Sequence, residues 1–433
     1  MRVTGSTRHV MVLPVRVIAV LLFAVTFAAL HGCGGDETLP ADPGDAGSPS
    51  VVGKTEGSSS PPANGGDGGT SSSEPPVTCE PFEKGQPITA PDKTWTWVDF
   101  DDSLCMNNTK SGIGVNLNSA SKDVVIYMQG GNACFNAASC QITANQDGYD
   151  AKTFANEVPP AEESVGGKIG NLYLLNRDKP NNIFKDWNYV YIPYCSGDVY
   201  AGDKSDVSVG LGKRQFHGYK NIAAFLKRLA PTFPNAGKIF LTGQSAGGFG
   251  AAYNYDQFSR AFCPKPIILV DDSGPPMAEE FVPPCLQKHF IETWGVDKTL
   301  PKDCAECAKG VQGNGVFIEP FLKYVRQKYM GRELGMISSV HDETIRKFWG
   351  FGNRNCLFTE VPQSYPAEKY QAGLEDIRDR YGGPDARLRM FLTPGTFHGM
   401  VHADPTTFSN AGVTLQDWLQ QVVNDDPAWK NVP

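Results

Sequence analysis

The chain has 433 residues, a formal net charge of −8 and a sequence pI near 5.5. That balance argues against nucleic acid as a partner and gives no attraction toward acidic polymers such as unesterified pectin. The length leaves room for one large domain with a substantial core, and there is no internal repeat.

The N-terminal part reads as targeting sequence. Arg2, Arg8 and Arg16 precede an apolar run from Val17 to Leu30 that is too short for a stable membrane span. Residues 1–32 are therefore expected to be a secretory signal. Leu30-His31-Gly32-Cys33 resembles a bacterial lipobox, which would make Cys33 a lipidated anchor to the cell envelope; ordinary cleavage and free secretion is the alternative. Residues 33–78 carry runs of Gly, Ser, Pro, Thr and Asp, with no Phe, Trp or Tyr. Such a stretch cannot bury enough apolar surface to offset its chain entropy and reads as a disordered tether. Residues 79–433 form the expected catalytic body. Ten cysteines remain besides Cys33, an even set that suggests disulfides in an exported chain. Cys304-x-x-Cys307 reads as structural bridging, with half of a metal site or a redox pair as the alternative.

Trp95, Trp97 and Phe100 interleave with polar residues, as in a strand near a domain edge. Asp123 to Met128 is a buried strand that runs into Gly130-Gly131-Asn132. Paired glycines there either leave backbone N–H groups free for an oxyanion or make a plain turn. Phe154 to Asn176 looks like irregular surface loop. Trp187 to Pro193 is the next strand, followed by Asp198, which either faces a pocket or caps a turn. Phe216 to Leu229 has helical spacing.

Lys238 to Phe249, KIFLTGQSAGGF, holds the central motif. A short apolar strand enters Gly243-Gln244-Ser245-Ala246-Gly247, and a helix follows to about Phe258. This is the context that a G-x-S-x-G nucleophile elbow requires. Ile267 to Val270 is a further strand, ending at Asp271-Asp272-Ser273-Gly274. The alternation predicts a mostly parallel sheet with helices on its faces, an α/β-hydrolase-like fold, whose functional loops lie at the strands' C-terminal ends. From Met277 the chain turns to helices and loops. A strand over Gly335 to Val340 ends at His341-Asp342-Glu343, and Leu388 to Leu392 is the last strand, followed by His398.

A serine nucleophile needs a base, and the base needs an orienting carboxylate. His398, just after the last strand, fits the order Ser, acid, His. Asp342 is the acid by order and context, with Asp272 in reserve. His398 and His402 are spaced as a zinc pair on a helix would be, but Pro394 and Gly395 disfavour a helix there.

Five ordered motifs resemble the pectin acetylesterase/Notum family of serine carboxylesterases. They are Gln129 to Phe135, Ile192 to Val199, Gly243 to Gly248, Asp272-Ser273-Gly274, and Asp342-Glu343 with His398. The resemblance covers most of residues 79–433. It implies Ser245 as nucleophile, His398 as base and Asp342 as orienting acid. It further implies an oxyanion hole from Gly131, Asn132 and Ala246, and bridges Cys105–Cys195 and Cys134–Cys140. Gly130, Asp198, Gln244 and Asp272 are expected at the substrate. Asn132 stands where the family has tryptophan, and Gln244 where many relatives have Cys or Ser. The expected activity is ester hydrolysis by a monomer without metal or cofactor. An O-acetyl ester of a polysaccharide is the first candidate substrate. The alternatives are longer acyl esters (a fatty-acylated protein or a hydroxyalkanoate polymer) and a non-catalytic surface-binding protein. Membrane contact is expected only through the N-terminal lipid.

Overall fold

The structure is a computed structural model that describes residues 79–159, 169–210, 212–353, 356–357, 364–383 and 387–433. The expected signal, the tether and Cys33 lie outside these residues. Strands β1 (Thr96–Phe100), β2 (Ser111–Asn116) and β3 (Val124–Met128) open the chain. Helices α1 (Ala137–Gln141) and α2 (Ala151–Glu157) lead to β4 (Asn188–Ile192). A small hairpin, β5 (Lys204–Ser208) and β6 (Lys213–Phe216), precedes α3 (Gly218–Thr232). Then come β7 (Ile239–Gln244), α4 (Ala246–Tyr253), α5 (Tyr255–Phe262) and β8 (Ile267–Asp272).

The eight-stranded main sheet has the order β1-β2-β4-β3-β7-β8, continued by β9 (Leu334–Ser339) and β10 (Leu388–Thr393). β1–β2 and β2–β4 are antiparallel, and every other pair is parallel. Both faces are covered, as a parallel sheet requires. Alternate residues of each strand therefore enter two cores. Ile126, Leu241, Leu269 and Met336 face one; Val125, Phe240, Ile268 and Ile337 face the other. The first core is closed by α3, α4 and α5, and by α6 (Pro284–Trp294), α8 (Ile318–Lys328) and α10 (Ala367–Tyr381). Between these helices lie α7 (Ala305–Gln312) and α9 (Glu343–Gly350). The second core is closed by α11 (Leu415–Val423), which follows the short pair β11 (Ser409–Asn410) and β12 (Val413–Thr414).

Three departures from the sequence reading have physical causes. The helix expected over residues 248–258 breaks at Asn254, whose side-chain amide donates to the Tyr200 and Gly250 carbonyls. The stretch from Phe154 expected as surface loop holds several buried residues among those described. Phe154 packs on Trp95 and Trp97, and Ile169, Leu172, Leu174 and Leu175 are buried. Ile169, Leu174 and Leu175 sit in two short 3-10 turns, Ile169–Asn171 and Tyr173–Leu175, whose spacing matches neither helix nor strand. Strand β2, SGIGVN, carries two glycines that hide its strand character; a Cβ at Gly112 would stand 2.0 Å from the Val98 carbonyl oxygen.

Five disulfides link all ten cysteines of the described body: Cys79–Cys263, Cys105–Cys195, Cys134–Cys140, Cys285–Cys356 and Cys304–Cys307. Both bridges implied by the family resemblance are among them. The Cys304-x-x-Cys307 pair is bridged, as the structural reading expected.

Candidate active site

The parallel strands send their C-terminal ends to one edge of the sheet, so the loops after β3, β7, β8, β9 and β10 converge there. The tightest is the turn from β7 into α4. Ser245 has φ 58° and ψ −122°, a conformation that costs a non-glycine residue about 1–3 kcal/mol. The surrounding backbone enforces it. A Cβ at Gly243 would stand 2.4 Å from the Gly247 carbonyl oxygen, and one at Gly247 would stand 2.0 Å from that of Met128. The Ser245 N–H donates to the Asp272 carbonyl at 2.7 Å, fastening the elbow to β8. Ser245 is 6 % exposed and opens on a cavity.

The loops carrying Asp342 and His398 leave adjacent strands and continue the ladder. Val340 N–H donates to the Thr393 carbonyl, and His341 N–H to that of Gly395. This extension brings His398 Nδ1 to 2.7 Å from Asp342 Oδ2. A carboxylate only accepts, so Nδ1 carries the proton and Nε2 is left as the acceptor. The other Asp342 oxygen has a separate task. It accepts from the Thr344 and Ile345 N–H groups and caps α9. Asp342 is fully buried, while the His398 side chain keeps 17 % exposure.

The loop after β3 supplies the third part. Gly131 has φ 155° and Asn132 φ 66°. No described residue accepts a hydrogen bond from the backbone N–H of Gly131, Asn132 or Ala246. Asn132 and Ala246 line the same cavity as Ser245. Free N–H groups beside a serine at a helix N-terminus are the donors an oxyanion needs. The Asn132 side chain turns away and donates to the Ile142 carbonyl at 2.7 Å. Helix α6 holds this loop from behind. Trp294 Nε1 donates to the Cys134 carbonyl, and His289 Nε2 hydrogen-bonds the Phe135 carbonyl.

The residues expected at the substrate divide. Gly130 lies against the elbow; a Cβ there would meet the Gln244 carbonyl oxygen at 2.5 Å. The Gln244 side chain packs on Gly399, next to His398. Asp198 and Asp272 are instead fully buried and bound to backbone, because each closes loops that otherwise leave N–H groups unpaired. Asp198 accepts from Ser196 Oγ and from the N–H groups of Tyr200, Gly202 and Gly218. The Asp272 carboxyl accepts from the Met400 and Val401 N–H groups, and Ser273 Oγ accepts from that of Gly399. Asp272 therefore joins both halves of the site: its carbonyl holds Ser245 and its side chain holds the His398 loop. It is not the partner of His398, so the reserve acid is a positioning residue. Burial raises both carboxyls to about 6 against the hydrogen bonds they accept.

The cavity itself was missed by the sequence reading. Its wall is apolar and rich in aromatic side chains, with Phe290 and Trp294 from α6, Phe321 from α8 and Phe348 and Trp349 from α9. The cavity opens to solvent, and its volume, open mouth included, is about 850 Å³. The available signal was the helical spacing of Phe290 with Trp294 and of Phe317 with Phe321. It marks a buried face but not whether that face is solid core or cavity.

The family model described as pectinacetylesterase matches residues 96–344, a span that includes Ser245 and Asp342 but not His398. The chain is 34% identical over 142 residues to the palmitoleoyl-protein carboxylesterase Notum of Schmidtea mediterranea, covering 32% of this chain and 25% of that protein. It is 28% identical over 217 residues to pectin acetylesterase 5 of Arabidopsis thaliana, covering 48% of each. The alignments thus span about a quarter to a half of the length of these relatives. Among solved structures, the Wnt deacylase Notum from Drosophila aligns with a TM-score of 0.55 at 18% identity. That alignment covers 79% of this chain and 96% of that one, a likeness of fold. With more than half of its residues matched by the family model, and with the elbow and its neighbouring loops inside that match, the chain belongs to the pectinacetylesterase family.

Proposed function

We propose that this protein is a serine carboxylesterase in which Ser245, His398 and Asp342 form the catalytic triad. The observation that carries the reading is the 2.7 Å contact of His398 Nδ1 with Asp342, on loops that converge with the strained Ser245 elbow. Ser245 Oγ attacks the ester carbonyl while His398 Nε2 takes its proton. The N–H groups of Gly131, Asn132 and Ala246 receive the oxyanion. His398 then protonates the leaving alcohol, and water activated by the same nitrogen hydrolyses the acyl-enzyme. The test is hydrolysis of p-nitrophenyl acetate. Ser245→Ala is expected to lose nearly all activity, and wild-type rates in that variant would refute the assignment.

The relatives named above act on acetylated pectin or on a palmitoleoyl-protein, and the cavity bears on the choice. An acetyl group needs little room, whereas the wall around Ser245 is apolar and aromatic over a long stretch. This favours an acyl group longer than acetyl. Across a series of p-nitrophenyl esters, kcat/KM is expected to rise from acetyl toward medium chains. A maximum at acetyl, falling steeply beyond it, would return the polysaccharide O-acetyl ester to first place.

The five disulfides accord with an oxidising compartment, and with the export that residues 1–32 suggest. No described helix is long and apolar enough to cross a membrane. In this reading residues 33–78 tether the esterase body of residues 79–433, with Cys33 as the anchor point.

A further inference from the structure

Behind the aromatic cavity lies a second, partly open one, between the sheet and the helices on its α4 face. Leu269, Leu322, Val325, Met336 and Ile377 form much of its wall, and its volume, open mouth included, is about 480 Å³. The two cavities share Ala252, Pro276 and Phe321. Ala252 stands seven residues after Ser245 along α4, roughly 10 Å down the helix axis. The partition is therefore at the depth that the far part of a medium-length acyl chain reaches.

Of the residues lining the second cavity, Asp271 alone is ionisable. It is 3 % exposed, and neither of its carboxyl oxygens has a hydrogen-bond partner. The strand pattern does not ask for an acid here. Ile267 and Leu269, which precede Asp271 on the same face of β8, are apolar members of the first core. Burial, and then the charge of Asp272, push the Asp271 carboxyl well above its ordinary range. The Gly274 N–H, close to one of the carboxyl oxygens, opposes this only in part. A neutral carboxyl offers one donor and one acceptor. Leaving both unpaired against an apolar wall costs free energy that a leucine would not.

We propose that the second cavity continues the acyl site past Phe321, and that the Asp271 carboxyl selects an acyl chain carrying a hydroxyl group toward its far end. The inference rests on the ester-hydrolysis reading of the Ser245 site. A hydroxyl can both accept from and donate to a neutral carboxyl, while the chain methylenes fill the apolar walls. No covalent step is involved.

The test uses pairs of synthetic esters from hexanoyl to dodecanoyl, each with and without a terminal hydroxyl. kcat/KM is measured for the full chain and for its Asp271→Asn and Asp271→Leu variants. At the length that reaches Asp271, the wild-type ratio of hydroxylated to plain ester is expected to rise about tenfold above its value at hexanoyl. Asp271→Asn keeps part of that rise, since an amide also donates and accepts. Asp271→Leu removes it. A wild-type ratio that stays flat along the series overturns the proposal, as does a rise that survives in Asp271→Leu. The first outcome is read on the wild-type protein alone, so a variant that fails to fold does not shelter the idea. A flat ratio with brisk hydrolysis of plain esters sinks this inference and leaves the Ser245 reading standing. No hydrolysis of any ester sinks both.

Discussion

The two oxygens of Asp342 have separate partners, and this allows catalysis and stability to be pulled apart at one residue. Oδ2 receives the Nδ1 proton of His398 at 2.7 Å, and Oδ1 caps α9 through Thr344 and Ile345 at 2.9 and 3.0 Å. Asp342→Asn keeps an oxygen for the cap but turns an amide group toward His398. Nδ1 must then accept, the proton moves to Nε2, and the imidazole can no longer take the Ser245 proton. Inverting the tautomer of a triad histidine costs on the order of 10⁴ in kcat. Because the cap survives, thermal unfolding should shift little. Asp342→Ala loses both partners, so it should be as inactive and also less stable, by about 1–2 kcal/mol for a lost N-cap. The assay pairs kcat on a p-nitrophenyl ester with calorimetry for wild type and both variants. An Asp342→Asn enzyme within tenfold of wild type would refute the argument. So would two variants that are equally destabilised.

Further outcomes follow from strain and burial. Ser245→Gly removes a side chain from a residue at φ 58°, so it should abolish activity yet unfold later than Ser245→Ala, by about 1 kcal/mol. The raised Asp272 carboxyl, at about 6, gives a pH signature. Its folded-state pKa lies above the unfolded value, so the folded chain holds the proton more tightly. The stabilising contribution is full below about pH 4 and is lost as pH rises through 6. Asp272→Asn cannot titrate. Its stability relative to wild type should therefore climb between pH 4 and pH 7, by up to about 3 kcal/mol. A difference that is flat or falling across that window, read by calorimetry, would contradict the buried-carboxyl account.

The loops of the candidate site were legible in the sequence because the patterns that mark them are local. The elbow's glycines are needed where backbones cross within one turn, and the parallel strands are short apolar runs ending in polar residues. His398 could be placed from chain order alone, since β9 and β10 are neighbours and their loops extend the ladder. What the sequence hid depends on three-dimensional closure. Asp198 and Asp272 look like site residues at strand ends, yet N–H groups from distant loops take up their carboxyls. The aromatic residues of α6, α8 and α9 show a buried face, but the space between them depends on how three helices meet. The β5–β6 hairpin escaped notice because its charged, half-exposed residues carry little apolar alternation.

The central claim is that Ser245 is an activated nucleophile, and covalent labelling tests it most directly. After reaction with a fluorophosphonate probe, mass spectrometry of the digested protein should find one adduct, on the peptide containing Ser245. The adduct should be absent from Ser245→Ala and strongly slowed in Asp342→Asn. An adduct on another residue, or no labelling of the folded wild-type protein, would contradict the account.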